Sequence, residues 1–391
     1  MFTVRLASGK DARLLAGHQW IYRSEISRVD EEGDPGSIAR VLDSRGKLVG
    51  QAMVNLKSQI AGRLLTRTEA SIDESFLERR IREAVSRCGR TLSGPGACRL
   101  VFGEGDHLPG LIVDRYADLV AVQILTAGME RLREPLFSAL RRVVGPRAIF
   151  ERNDVPPRKL EGLPLHKGFV GAGGDTGVWI QEGELRYFVE VAEGQKTGFF
   201  LDQRENRQVV KRLARDREVL DCFCYSGGFA LSAAAGGAAS TTGIDLSEEA
   251  LGWAQKSAEH NGLASRCRFL AANAFDELRA LDRAGRRFGL LILDPPAFTK
   301  GKEAVAGALR GYKEINLRAM KLLAPGGILV TCSCSYHVDA PTFLGMLREA
   351  AADARREFRL VGFRTQAEDH PVLLAVRETQ YLKCVILEAL T

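Results

Sequence analysis

The chain has 391 residues, 45% hydrophobic and 27% charged, which is ordinary for a globular protein and enough for two or three domains. It contains no apolar run of about eighteen residues and no signal-peptide pattern at its start, so we expect no membrane partner and a cytoplasmic location. Eight cysteines are too sparse for a disulfide scaffold, so we expect reduced thiols. The net charge of +6 suits nucleic acid as well as it suits a merely arginine-rich surface.

The first 185 residues are predicted to form two small domains. Residues 1–71 contain short β-like runs separated by turn signals, which indicates a β-rich domain. Residues 72–90 have helical spacing, and further strand-like runs at 110–114, 119–124 and 148–151 surround a predicted helix at 129–143. We therefore expect a central α+β domain over 72–185, which includes a glycine-rich turn or linker at 171–177.

The pattern changes in residues 186–391. Five strand candidates alternate there with helical stretches: 218–222, 240–245, 267–270, 289–293 and 326–332. Such alternation predicts a parallel α/β sheet wrapped by helices, and residues 379–387 are typical of a closing strand. Ligands of such sheets bind at the carboxyl ends of the strands.

A glycine turn follows the first of these strands. Asp221 ends the strand, and Ser226-Gly227-Gly228 opens the next helix, where glycines allow close approach of a ligand. Asp245 ends the second strand, where an acid commonly binds ribose hydroxyls, and Asn273 follows the third. The turn lacks the full dinucleotide fingerprint, so the set favours S-adenosylmethionine over NAD. The alternative is that both aspartates only cap helices.

Upstream of the turn, polar residues surround an aromatic pair in the segment 194–207. This segment either folds over the cofactor or is the solvated start of an amphipathic helix. We predict the following cofactor contacts: Lys196, Phe200, Asp202, Arg204, Asp221, Tyr225, Ser226, Gly227, Asp245, Asn273 and Asp294.

Two further motifs end later strands of the same sheet. Asp294-Pro295-Pro296-Ala297-Phe298 follows one apolar run, and Thr331-Cys332-Ser333-Cys334-Ser335 follows another. A thiol and a carboxylate at this edge are suited to covalent chemistry on a ring. The two Cys-x-Cys pairs do not predict a zinc site, because the strand that ends at Asp294 is expected to lie between them and to hold them about 10 Å apart.

Together these motifs resemble those of the ribosomal RNA large-subunit cytosine-5 methyltransferases that carry an N-terminal PUA domain. The resemblance covers essentially the whole chain, including Gly17-His18-Gln19-Trp20-Ile21-Tyr22 near the start. It implies a C-terminal Rossmann-like class I methyltransferase domain, an N-terminal PUA domain, the cofactor S-adenosylmethionine, 23S ribosomal RNA as partner, and a homodimer. Asn273 departs from the aspartate that is common at its position.

The resemblance also implies roles for individual residues. Thiolate addition to carbon 6 of cytosine makes carbon 5 nucleophilic enough to accept a methyl group. Cys332 aligns with the cysteine of related loops and is the predicted nucleophile, with Cys334 as the alternative. Asp294 would relieve charge at ring nitrogen 3 and the exocyclic amine. Pro295, Phe298 and Cys334 are the predicted substrate contacts, with Phe298 stacking on a flipped base.

Other functions remain open at this point. A guanine N-methyltransferase would also use Asp-Pro-Pro-x-Phe but needs no thiol, and a non-catalytic RNA-binding assembly factor would need neither. A nicotinamide enzyme is a weaker alternative. Arginines on the predicted helices can bind phosphates or form a solvated face: Arg79, Arg80, Arg82, Arg87, Arg131, Arg133, Arg141 and Arg142.

Overall fold

The structure is a computed structural model that describes residues 1–31, 33–88, 96–299 and 301–390. The chain forms two compact units. The first consists of Met1–Ile180, Glu190–Phe199 and Glu368–Thr379, and the second of Gln181–Val189, Phe200–Ala367 and Gln380–Thr391. The division into three domains at 71 and 185 stays a prediction.

The first unit begins with a six-stranded sheet in the order β2-β6-β5-β4-β1-β3, in which only β1 and β4 pair in parallel. Its strands are β1 (Phe2–Leu6), β2 (Trp20–Tyr22), β3 (Ile26–Val29), β4 (Ser37–Leu42), β5 (Leu48–Val54) and β6 (Ile60–Thr66), with the short helix α1 (Ala12–Leu15). Alternate side chains of these strands form one buried apolar core, as expected for a β-rich domain.

A second sheet in the same unit has the order β11-β10-β9-β8-β7, and helices pack on it. Its elements are α2 (Glu74–Cys88), β7 (Ala97–Phe102), β8 (Leu111–Tyr116), β9 (Leu119–Ile124), α3 (Ala127–Arg131), α4 (Arg133–Val144), β10 (Ala148–Asn153), α5 (Pro157–Leu160) and β11 (His166–Phe169). The single helix predicted at 129–143 is divided at Leu132, and the end of the helix predicted at 72–90 lies outside the described residues.

The expectation that all cysteines are reduced differs from the structure. Cys88 at the end of α2 and Cys98 in β7 form a disulfide, with their Cα atoms 6.4 Å apart. A spacing of ten residues does not show that a helix end and a strand start will meet, so this pairing could not be predicted from the sequence. In the described part of the chain the other six cysteines are not in disulfides.

A two-stranded hairpin, β12 (Gly177–Glu182) and β13 (Leu185–Glu190), precedes a seven-stranded sheet in the order β16-β15-β14-β17-β18-β20-β19. The elements that build the large sheet are α6 (Arg204–Leu213), β14 (Glu218–Cys222), α7 (Gly228–Ala235), β15 (Ser240–Asp245), α8 (Glu248–His260), β16 (Cys267–Ala271), α9 (Ala274–Arg283), β17 (Phe288–Leu293), α10 (Val305–Leu322), β18 (Leu323–Ser333), α11 (Ala340–Ala354), β19 (Phe358–Arg364) and β20 (Lys383–Ala389).

Strands β14 to β18 are parallel, and β20 is antiparallel to both β18 and β19. The predicted parallel α/β sheet is therefore confirmed, as is the position of the strand ending at Asp294 between the two that carry Cys-x-Cys pairs. Because parallel strands end at the same edge, Asp221, Asp245, Asp294 and the Cys332–Cys334 segment share one edge of the sheet.

Candidate active site

The turn after β14 has an unusual backbone. Phe223 and Tyr225 both have positive φ, at 65° and 49°, and Gly227 follows at 76°. At Gly227 a side chain would also be crowded, since a Cβ atom would lie 2.9 Å from the Cβ of Ala254. The turn thus leads the chain tightly from β14 into the first residue of α7.

Two carboxylates hold this turn. Asp221 is fully buried and accepts the backbone N–H of Ala230 in the first turn of α7 at 2.9 Å. Asp245 accepts the backbone N–H groups of Tyr225 and Ser247, both at 2.9 Å. The helix-capping alternative therefore describes part of what Asp221 does, whereas the cap of α8 is Ser247.

Two buried oxygen atoms at the turn have no hydrogen-bond partner among the described residues: Oδ1 of Asp221 and Oγ of Ser226. Burial and the neighbouring carboxylates of Asp294 and Asp245 raise the pKa of Asp221. Buried polar groups are normally satisfied, so these atoms point to a ligand with complementary polar groups. The amino group, hydroxyls and adenine of S-adenosylmethionine fit that requirement.

Three other predicted cofactor residues lie outside the glycine turn: Asn273, Lys196 and Arg204. Asn273 is exposed and caps α9, with its side-chain oxygen accepting the N–H of Phe275 at 2.9 Å. Lys196 is half-buried in the first unit, with φ 55°. In the second unit Arg204 begins α6.

An aromatic group stands beside the glycine turn. The ring of Tyr225 meets Phe200 edge-on at 5.3 Å and Trp253 at 6.1 Å. Asp202 accepts a hydrogen bond from the hydroxyl of Tyr381 at 2.6 Å. Phe200 and Tyr225 thus contact each other and Asp202 is held by Tyr381, while their contact with the cofactor stays a prediction.

The loop that starts at Asp294 is anchored on its neighbours. The backbone N–H of Asp294 donates to the carbonyl of Cys222 at 3.4 Å, and Pro295 is buried. Phe298 packs against Tyr312 at 4.6 Å and Phe275 at 5.9 Å, so its ring is partly used by the core.

The two thiols of the Thr331–Ser335 segment have different environments. Cys332 lies inside β18 with no exposed surface, on the sheet face that packs against α6 and α7. The neighbouring thiol of Cys384 and burial raise its pKa. Cys334 lies just beyond the strand and is half-buried. Of the two, only Cys334 has surface that a substrate can reach.

Tyr312, in α10, and Lys383, in β20, hold the turn that carries Cys334. The hydroxyl of Tyr312 is 3.0 Å from Oγ of Ser333 and 2.9 Å from Oγ of Ser335. The amine of Lys383 donates to the carbonyl of Ser335 at 2.7 Å. Sequence analysis missed both residues, although a single lysine within the apolar closing strand was a usable signal.

Most of the arginines proposed for phosphate binding have protein partners. Arg82 and Arg142 pair with carboxylates on α2, Arg131 with Asp34, and Arg133 with Glu151. The solvated-face alternative therefore describes these side chains well in the isolated chain.

The described residues contain neither a metal-binding cluster nor a membrane-spanning helix. No group of three or more His, Cys, Asp or Glu side chains in that part of the chain is placed to hold a metal ion. No helix there is both long and apolar enough to cross a membrane.

Comparison with known proteins gives two family matches. Residues 170–387 match the model of the S-adenosylmethionine-dependent methyltransferases, and residues 4–67 match a PUA-like domain. A ribosomal RNA large subunit methyltransferase I from Erwinia tasmaniensis is 40% identical over 97% of this chain and 98% of its own. One from Aeromonas hydrophila is 38% identical over 99% of both chains.

Solved structures agree in fold. A structure described as a SAM-dependent methyltransferase from Streptococcus mutans has a TM-score of 0.85 and 19% identity, and covers 99% of this chain and all of its own. A methyltransferase complexed with SAH has the same TM-score at 20% identity. The predicted combination of a class I methyltransferase domain with an N-terminal PUA-like domain is confirmed, and so is S-adenosylmethionine as the cofactor.

Proposed function

Because the chain belongs to the ribosomal RNA large subunit methyltransferase I family, we propose that it methylates carbon 5 of a cytosine in 23S ribosomal RNA, within the cytoplasm. The observation that carries the choice of carbon 5 is a half-buried cysteine, Cys334, on a fixed turn at the sheet edge that also presents Asp294. A thiol at that place serves addition to a pyrimidine and has no use in methylation of a guanine nitrogen.

The cofactor is assigned to the glycine turn. Asp221, Ser226, Gly227 and Asp245 would hold it, because all four lie at or beside the turn after β14, where Asp221 and Ser226 have buried oxygens without a hydrogen-bond partner among the described residues. When bound, S-adenosylmethionine supplies an electrophilic methyl group.

We assign the nucleophile to Cys334 rather than to Cys332. Attack on carbon 6 needs an accessible thiolate, and Cys332 is enclosed by apolar side chains in the strand. The sulfur of Cys334 would form a bond to carbon 6, and electron density would move towards nitrogen 3. Asp294 is the carboxyl group assigned to relieve that charge. Carbon 5 would then take up the methyl group, and loss of the carbon-5 proton to water followed by departure of the thiolate would restore the aromatic ring.

The test is a map of 5-methylcytosine in 23S ribosomal RNA from cells with the gene, without it, and with it restored. We expect one cytosine to lose its methyl group on deletion and to regain it on restoration. An unchanged map would refute the proposal. A lost methyl group on a guanine nitrogen would instead favour the guanine alternative, and a chain that binds no S-adenosylmethionine in calorimetry would favour an assembly factor.

We further propose that the protein is a homodimer through the edge strand β19. This strand has exposed apolar side chains at Leu360, Val361 and Phe363, and an unpaired strand edge next to apolar surface is a ready pairing surface. It also lines a groove of about 840 Å³ against α11.

If that proposal is right, the double substitution L360K/F363E lowers the molar mass in light scattering from two chains to one. The matched control is V372K, because Val372 is similarly exposed but lies outside the groove. A wild-type chain that is monomeric at tens of micromolar contradicts the dimer.

A further inference from the structure

Lys383 is a lysine with little access to solvent. It lies in β20 directly across from Ser333, and only 7% of its surface is exposed. Its amine donates to the carbonyl of Ser335 at 2.7 Å and to the carbonyl of Tyr381 at 2.8 Å. The amine is therefore hydrogen-bonded to the turn that carries Cys334.

The charges around this amine are few and come from two elements. Cys334 on the turn after β18 and Asp339 at the start of α11 both favour the ammonium form, while burial opposes it and is the larger effect. The result is a pKa for Lys383 lowered to about 8. A lysine with an ordinary pKa near 10.4 would seldom be neutral at pH 7 to 8, whereas a pKa of about 8 leaves a substantial neutral fraction of this amine there.

We propose that Lys383 is a positioning residue that accepts the proton of Cys334 and holds the resulting thiolate as a lysine–cysteine ion pair. The inference rests on the proposed role of Cys334 as nucleophile. The S–H bond of Cys334 breaks and its proton forms a third N–H bond on the neutral amine, so no other reactant is needed. When carbon 6 later releases the sulfur, the thiolate returns to the ammonium group.

Tyr312 is another titratable group at the turn, and it is less suited to this task. Burial raises the pKa of its phenol, and its hydroxyl already bonds with the side chains of Ser333 and Ser335. At neutral pH it remains a protonated phenol that fixes the turn and does not act as the base.

The test is the pH dependence of alkylation of Cys334 by iodoacetamide, measured without RNA in the full chain. Fragment-ion mass spectrometry distinguishes Cys334 from Cys332, and C334S gives the background. We expect K383M to move the midpoint of the rate upward by at least about one pH unit, which makes alkylation at pH 7 about tenfold slower. K383R keeps a cation beside the thiolate but cannot accept its proton, so its midpoint should not rise, which separates the ion pair from the proton transfer.

The control is K313M, which removes an ammonium group that pairs with Glu349 and Asp353 on α11 instead. Thermal unfolding and calorimetric binding of S-adenosylmethionine show whether each variant is folded. If K383M does not fold, K383Q decides by the same profile, since its amide still donates hydrogen bonds. A folded neutral variant with an unchanged profile overturns the inference. An altered profile together with an unchanged 5-methylcytosine map would leave the ion pair standing and refute only the proposed function.

Discussion

Replacing Cys334 by alanine is expected to lower methyl transfer by at least about a thousandfold, because the variant has no group to add to carbon 6. Replacing Cys332 by alanine is expected to leave kcat within about threefold of the wild type. The sulfur of Cys332 has no exposed surface and packs in the core, so its loss acts on stability, at a cost on the order of 1 kcal/mol. The measurement is single-turnover transfer of labelled methyl to a 23S ribosomal RNA fragment.

A second measurement identifies the bond itself. RNA with 5-fluorocytosine at the target should remain attached to the protein, because fluorine cannot leave as a cation and elimination stops. We expect the attached peptide to carry the modification on Cys334, and we expect C332A to form the same adduct. An adduct on Cys332, or full activity of C334A, would contradict the assignment of Cys334 and favour Cys332 as the nucleophile.

The fold was largely predictable because its signals are local. The bounds of β14 and β15 agree with the sequence prediction, since each strand precedes a helical stretch and has an aspartate as its last or next-to-last residue. Strand β19 was not predicted: its residues are mostly exposed on both faces, so Phe358–Arg364 shows no simple alternation of apolar and polar residues. Pairing with β20 makes it a strand, and such pairing is a long-range property.

The sequence places two thiols near the end of one strand, but it does not show which of them is accessible. Cys332 and Cys334 are two residues apart, and the sequence does not show where β18 ends. The strand extends to Ser333. Cys332 is therefore enclosed within the strand, whereas Cys334 lies beyond its end and is half-buried. Tyr312 and Lys383 come from elements on either side of that turn, and only the sheet order brings them there.

Replacing the carboxyl group of Asp294 is expected to cause the second large loss of methyl transfer. Asp294 follows β17, which lies between β14 and β18 in the sheet, so it lies between the glycine turn and the thiol segment. In D294N the amide can still form hydrogen bonds to a cytosine edge, but it carries no charge and cannot supply a proton to nitrogen 3. We therefore expect single-turnover methyl transfer to fall by roughly a hundredfold to a thousandfold, within the usual range for loss of general acid–base catalysis.

The affinity for S-adenosylmethionine separates this role from a structural one. Because the backbone N–H of Asp294, which anchors the loop on Cys222, is kept in D294N, calorimetry should give a Kd within about threefold of the wild type. D276N is the matched control, since Asp276 is a solvent-facing carboxylate on α9 that pairs with Arg279. If D294N lost cofactor binding and activity together, Asp294 would belong to the cofactor site alone. If it kept full turnover, charge relief at nitrogen 3 would have to come from another group, and the assignment of Asp294 to the cytosine would fail.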